Sequence, residues 1–458
     1  MWSVEWLRHA SQCEIKNVEL SATPMRNLSI KNTLHTQHST FNTPHSTLRL
    51  SRNHSTFNTQ HSTFIMKRIA TLALAALAFG NVSAQEKEAK LKVLSDIKFS
   101  GYIMSQYQYS DKESNKGEKD INSFNIRMVR MALEGRVAKD FYWKAQLQVN
   151  GNTSNLTVAP RMVDAFAEWQ KYDAFKVKAG QFKRPFTFEN PMHPVTQGFM
   201  SYSQNVLKLA GFSDRNGEHS SNGRDIGVQL QGDLLKANDG HHYLHYQVGV
   251  FNGQGTNMKD VDQRKDIIGG VWVAPVKGLR IGAFGWTGSY ARKGTWKVVD
   301  ENHNTIYSDP EKKNPVYTKD SKVRSLAKNR YAFSVEYAAH DWTVRSEYIH
   351  SQGYSFEKTQ SSGKETDCSI NYAAGDKADG FYALMIAPVI SKKLYAKARY
   401  DLYRPQADWH TSKTQYEIGA NYWIGKHVMV AAEYARVNDR SLNKSNYNMF
   451  DLQLDVKF

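Results

Sequence analysis

The sequence predicts an all-β fold, a transmembrane antiparallel β-barrel of about 16 strands. Three observations carry that prediction: apolar/polar alternation at period two, repeated along most of the chain; an export segment with no helix-length apolar run after it; and a last strand that stops on Phe458.

Composition alone points elsewhere. A net charge of +16, a pI near 9.4 and a mean hydropathy of −0.60 suit a soluble basic protein, even one that binds nucleic acid. Yet 12% of the residues are Phe, Trp or Tyr and only 11 are Pro, which excludes a disordered basic binder. A membrane barrel removes the conflict, because only one face of each strand meets lipid and the other is polar. With export, and with basic residues interleaved among lipid-facing ones, no nucleic-acid partner is expected.

Export is read from the apolar run Ile69–Phe79, preceded by Met66-Lys67-Arg68 and followed by Val82-Ser83-Ala84 ahead of Gln85. The run is too short to cross a bilayer as a helix and has the three regions of a signal peptide, here residues 66–84. Residues 1–65 then lie upstream of the true start. They repeat His-Ser-Thr-Phe-Asn-Thr at 38–43 and 54–59, as translated repetitive DNA would, and are expected to be a mis-annotated extension. A His-rich metal tract is the other reading of that segment, but no acidic or Cys partner stands beside these histidines. The barrel is assigned to 85–458, where Cys368 is the one remaining cysteine. No intramolecular disulfide, four-cysteine metal site or cofactor is expected there.

The strands follow from the alternation. Phe141, Trp143, Ala145, Leu147 and Val149 alternate with Tyr142, Lys144, Gln146, Gln148 and Asn150. Val163, Ala165, Ala167 and Trp169 oppose Asp164, Glu168 and Gln170; Phe175, Val177 and Ala179 oppose Lys176 and Lys178. Ile226, Val228 and Leu230 oppose Asp225, Gln229 and Gln231, and similar sets recur at 330–337 and 394–401. Weaker copies lie near 97–109, 124–137, 243–252, 265–274, 279–290, 342–349, 381–387, 416–424 and 428–437. Short links such as Lys139-Asp140 and Tyr172-Asp173 suit periplasmic turns, whereas 110–121, 184–223, 291–327 and 353–379 suit longer extracellular loops.

In the last strand Asn448, Phe450, Leu452, Leu454, Val456 and Phe458 share one face. Ending on an aromatic resembles the signal read by the outer-membrane assembly machinery, and it fixes which parity faces lipid. A soluble sandwich also alternates. Its apolar faces would not be crowded with Tyr and Trp, as at Trp169, Tyr331, Tyr337, Trp342, Tyr348, Tyr400, Tyr422 and Tyr434, which suit interfacial girdles. The expected location is the outer membrane of a Gram-negative bacterium, among its lipids and lipopolysaccharide.

Parity then sends Arg130, Arg136, Lys144, Lys176, Lys178, Arg280, Arg330, Arg345, Lys397 and Arg399 to the lumen, among Asp164, Glu168, Asp225, Glu336, Glu347 and Asp401. Such residues can simply pair across strands. Alternatively, a surplus of fixed positive charge inside a low-dielectric wall makes a path for anions.

Gly180-Gln181-Phe182-Lys183-Arg184-Pro185-Phe186, with Glu189 after it, resembles the signature of the phosphate-selective porin O and P family. Arg224-Asp225-Ile226-Gly227-Val228-Gln229, Val248-Gly249-Val250-Phe251-Asn252-Gly253 and Lys265-Asp266 follow in that family's order. The resemblance implies a trimeric barrel of about 16 strands with a loop folded into the pore and basic residues along the path. The loop from Pro185 to Asn222 is the expected constriction, with Lys183, Arg184 and Arg224 at its roots. The family's dense arginine ladder has no residue-by-residue counterpart here. The expected activity is therefore passive diffusion of small anionic or polar solutes, with phosphate and polyphosphate among them.

Two other classes compete. A barrel enzyme would need a catalytic constellation, and no G-x-S-x-G signature occurs; His241, His242 and His245 are the nearest to a metal cluster. A non-conducting adhesin or structural barrel is the third reading, distinguished by its lack of conductance.

Overall fold

The computed structural model describes residues 94–113, 122–150, 160–359 and 365–458. The expected upstream extension and signal peptide lie outside the described residues.

Among the described residues, sixteen strands form one antiparallel meander that closes on itself, and a short seventeenth, Glu365–Cys368, joins the end of one of them in parallel. In chain order they are β1 Leu94–Ser110, β2 Asn122–Val137, β3 Phe141–Gln148, β4 Arg161–Tyr172, β5 Phe175–Lys183, β6 Arg224–Lys236, β7 His242–Phe251 and β8 Asp266–Val276. They continue as β9 Leu279–Trp296, β10 Lys322–Ala339, β11 Trp342–Gln352, β12 Lys377–Ile390, β13 Leu394–Arg404, β14 Lys413–Ile424, β15 Val428–Asp439 and β16 Asn446–Lys457. Closure is the β1–β16 ladder, running from Tyr102↔Lys457 to Ser110↔Met449. It leaves no strand edge for the hydrocarbon to meet unsatisfied.

The parity read from the last strand holds. Phe450, Leu452, Leu454 and Phe458 are exposed on the outside while Gln453 and Asp455 are buried within; Tyr331, Phe333 and Val335 face out while Arg330, Ser334 and Glu336 face in. Tyr337, Trp342, Tyr422 and Tyr434 are exposed on the outer surface as well.

Four expectations need correction. Val163 is buried rather than lipid-facing, because a bulge at Gln146↔Asp164 and Leu147↔Met162 inserts it as an extra residue. The 291–327 segment is not all loop: β9 runs on to Trp296, β10 starts at Lys322, and isolated bridges such as Lys297↔Tyr317 rigidify the excursion between them. Likewise 353–379 contains the paired two-residue strands Ser355–Phe356 and Ile370–Asn371 and the start of β12. Finally, the lumen face is not uniformly wet, since Phe251, Ile268, Phe284, Trp286 and Ile349 are buried on it.

The seam beside Phe458 depends on a missing side chain. Phe458 exchanges backbone hydrogen bonds with Gly101, N–H to O at 3.0 Å and the reverse at 2.8 Å, and its ring lies across that glycine. A Cβ at position 101 would stand 2.5 Å from Phe458 Cζ and 2.7 Å from the Arg130 carbonyl oxygen. Gly101→Val is therefore expected to destabilise the closed barrel by about 1–3 kcal/mol. The check is the temperature at which the folded, fast-migrating form is lost on gels; an unchanged temperature would count against the packing argument.

Candidate functional site

Between β5 and β6 the chain does not leave the barrel. From Arg184 to Gly223 it folds into the lumen and most of its side chains are buried. The cause is its own composition. Phe186, Phe188, Tyr202, Leu209 and Phe212 need apolar surface, and β7 to β11 present it on their inner faces. Phe186 meets Trp286 edge-on at 5.4 Å, and Phe188 meets Phe284 at 5.5 Å. One short helix, α1 Gln204–Leu209, lies against β11, β12 and β13.

A buried loop must also satisfy its backbone. Wall carboxylates accept its N–H groups: Glu347 from Phe188 and Glu189 at 2.7 and 3.0 Å, Glu433 from Met200 at 2.7 Å, Asp401 from Gln204 at 2.9 Å. Wall cations donate to its carbonyls: Arg345 to Gln197 at 2.9 Å, Lys397 to Gly198 at 3.1 Å, Arg399 to Ser201 at 2.9 Å, Arg330 to Leu209 at 2.7 Å.

At the root, Lys183 pairs with Arg224 across β5 and β6. Arg184, fully buried, donates to Glu218 at 2.8 Å and to Asp225 at 2.9 Å. Burial works against its charge, but those two carboxylates hold its pKa above the ordinary arginine value. Asp225 also accepts the Gly253 N–H at 3.0 Å, so the three sequence motifs meet at one carboxylate. Arg184, Lys328 and Arg330 all lie over the Trp286 ring, at 4.8, 4.7 and 4.7 Å, and its indole N–H donates to Asp266 at 2.8 Å. On the loop, Asp214 makes a two-point pair with Arg330 at 2.6 and 2.8 Å. Burial opposes that carboxylate's ionisation, and Arg330 overcomes it, holding the pKa below the usual range.

One space lies on the other side, between loop residues 184–194 and the inner faces of β2 to β7. This cavity, about 340 Å³, is lined by Arg130, Lys144, Lys178, Lys183, Arg184 and Arg224, against the single carboxylate of Asp164. His193 also lines it, but burial first, then Lys183, Arg130 and Lys144, push its pKa down to about 3, so it is neutral near pH 7. Lys183 donates to the Asn190 and Met192 carbonyls and the Tyr202 hydroxyl, with no carboxylate partner among the described residues.

The thirteen sequence-predicted cations thus separate. Arg130, Lys144, Lys178, Lys183, Arg184 and Arg224 meet at the cavity. Arg280, Arg330, Arg345, Lys397 and Arg399 lie along the loop-docking wall and pair with Glu336, Asp214, Glu336, Glu433 and Glu417 respectively. Lys176 pairs with Asp233 at 2.8 Å next to the β5–β6 ladder's far end, and Arg136 donates to the Lys139 carbonyl and Gln170. His245 binds Asp233 at 2.6 Å and stacks on Trp272, His241 contacts Asp239, and among the described residues no three His, Cys, Asp or Glu side chains are placed to share a metal.

Sequence reasoning missed Asp214, Glu218, Lys328 and Trp286. Extending the 330–337 alternation back by two residues would have placed Lys328 inside; nothing in the sequence marks Asp214 or Glu218, which lie in a loop without period.

Three comparisons bear on the chain. The sequence profile of the phosphate-selective porin O and P family matches residues 97–266. No curated protein matches the sequence. Among solved structures, the anion-selective porin from Comamonas acidovorans aligns at 11% identity and TM-score 0.53, over 80% of this chain and 100% of that one. A loop-deletion mutant of OmpT, an outer-membrane protein of Vibrio cholerae, aligns at 12% and 0.52, over 80% and 99%. Salmonella typhi OmpF aligns at 10% and 0.51, over 80% and 98%. At such identities the structures establish a shared barrel fold.

Removing one wall acceptor should loosen the loop. Glu347→Ala leaves the Phe188 and Glu189 N–H groups without their partner, a cost of about 1–3 kcal/mol. Trypsin added to the folded protein is expected to cut the variant after Lys208 or Arg215 and spare the parent. Equal resistance of both would show that Glu347 does not hold the loop.

Proposed function

We infer that this outer-membrane porin passes small anions by passive diffusion through the cavity between the lumen loop and β2 to β7. One observation carries the reading: six cationic side chains and one carboxylate line that cavity, and with Arg184 and Arg224 neutralised by buried carboxylates, Lys144 and Lys178 leave positive charge open to it. Charge fixed in a narrow, low-dielectric passage raises the local concentration of the opposite ion and lowers its entry barrier.

The pairing pattern supports the same side. On the docking wall the cations sit against carboxylates at 2.6–3.1 Å, where they cancel, apart from the still closer Lys397–Glu433 contact. In the cavity, Lys144 and Lys178 stand 3.5 and 3.6 Å from Glu134 and Glu168 and keep part of their surface open. Phosphate and polyphosphate fall within this solute class. With the reading go a homotrimer, outer-leaflet lipid and lipopolysaccharide around the apolar belt, and delivery by an assembly machinery that reads Phe458. A channel needs no catalytic group.

The test is a planar bilayer holding the refolded barrel under a KCl gradient. The reversal potential should show chloride preferred over potassium. Lys144→Glu combined with Lys178→Glu should lower that preference by about fivefold per charge changed, if each contributes about 1 kcal/mol at the constriction. A parent channel without anion preference would overturn the anion reading, and a barrel without conductance would overturn the porin reading.

A further inference from the structure

Resting on the anion reading, we propose that the constriction selects small hydroxylated carboxylates, solutes of sugar-acid type, over inorganic phosphate. The proposal comes from what the cavity offers besides charge.

Consider first what it withholds. Tight recognition of phosphate uses guanidinium forks aimed at its oxygens. Each fork at this cavity is already committed. Arg224 grips both oxygens of Asp164, at 2.6 and 3.1 Å. Arg130 directs Nε and Nη2 to Gln148 Oε1 at 3.0 and 2.8 Å. Arg184 is closed off between Glu218 and Asp225. What remains accessible is the pair of ammonium groups on Lys144 and Lys178, about a fifth to a quarter exposed (24% and 19%). An ammonium is a point charge that attracts any anion and imposes no tetrahedral geometry.

Next, the wall carries an aromatic track. Tyr142, Phe166 and Phe182, on the adjacent strands β3, β4 and β5, follow one another with ring centroids 6.0 and 5.9 Å apart. Lys178 lies over both phenylalanine rings, at 5.1 and 5.4 Å. Charge and apolar surface are therefore side by side, so a solute that binds the ammonium also meets ring faces. Bare phosphate has no carbon body to place there, and the rings cost it hydration without return. The C–H face of a sugar ring fits them.

Beyond the track the lining turns to amides. Gln231 on β6 faces Gln247 on β7 across the ladder, Gln229 donates to Gln231 at 2.6 Å, and Gln146 lines the β3 side. Amides both donate and accept, as hydroxyl groups do, and carry no charge to hold an ion. A cavity of about 340 Å³ is at the small end of small-molecule sites, of roughly 300–1,000 Å³. One monosaccharide-sized acid, with its carboxylate at Lys144 or Lys178, its ring on Phe166 and its hydroxyls on the amides, uses all three kinds of surface.

The experiment is block of chloride current through single refolded channels by glucuronate and by inorganic phosphate at the same pH and ionic strength. Half-block by glucuronate is expected at about tenfold lower concentration than by phosphate. Phe166→Ala and Gln247→Ala, made separately, should each raise the glucuronate value several-fold and leave the phosphate value unchanged. If Phe166→Ala does not fold, Gln247→Ala decides. Phosphate blocking as well as or better than glucuronate, or variants that shift both alike, would overturn the selectivity while leaving the anion channel intact. A channel with no preference for anions would instead remove the reading beneath it.

Discussion

The structure turns on a guanidinium with nowhere to go. Arg184 begins the lumen loop, is fully buried, and is held by Glu218 from within that loop and Asp225 from the barrel wall. Withdrawing the loop would strand Asp225 and would leave Lys328 with Asp266 alone, since its second carboxylate, Glu218, goes with the loop. Breaking a buried pair of this kind costs about 3–5 kcal/mol, because the charge left behind stays desolvated. The packing is tight enough to dictate a glycine. A Cβ on Gly211, which has φ of +96°, would fall 2.1 Å from the Arg184 guanidinium. The loop's fold, the position of the cavity and the separation of the cations all follow from this anchor and the apolar patch around Trp286.

That separation explains how one composition supports two opposed readings. Cations closed into ion pairs, Arg184 and Arg224 at the cavity among them, and cations left part-open, Lys144 and Lys178, both occur. On the docking wall Glu433 pairs with Lys397 and accepts the Met200 N–H, and Asp401, which accepts the Gln204 N–H, lies 3.9 Å from Arg399, whose nearer partner is Glu417, so cation, carboxylate and loop backbone form one network. On the cavity side Arg184 and Arg224 are closed just as tightly, and it is Lys144 and Lys178 that stand farther from their carboxylates and stay part-open. Net charge counted over the chain averages the two and says little about either.

Much of the barrel was legible because a strand with lipid on one side and water on the other must alternate, and the terminal strand fixes which parity is which. That logic sends Arg130, Lys144, Lys178, Arg330 and Arg399 inward, where the structure has Arg130, Lys144 and Lys178 at the cavity and Arg330 and Arg399 at the docking wall. It failed where the inside is not water. Phe251, Ile268, Phe284 and Trp286 break the apolar/polar code since their partner is a folded-in loop, and Phe166, an inward aromatic beside Asp164 and Glu168, went unmarked for the same reason. Val163 failed differently: a bulge changes parity by one residue without leaving a mark in composition. Pairing was the least legible of all, because Arg330–Asp214 and Arg184–Glu218 join a periodic strand to an aperiodic loop.

The two sides also differ in how freely they can change. Docking-wall pairs are desolvated, so losing one partner is expensive and the pair tends to be kept or replaced as a unit. Cavity groups such as Lys144, Lys178 and Gln247 are partly solvated, and part-exposed pairs such as those of Lys144 and Lys178 contribute about 1 kcal/mol or less to stability. Substitutions there alter what the passage attracts at little cost to the barrel that holds it. A loop fixed by carboxylates and aromatic packing on one wall therefore leaves the other wall open to variation, and solute preference can move while the scaffold, the anchor at Arg184 and the outer belt stay the same.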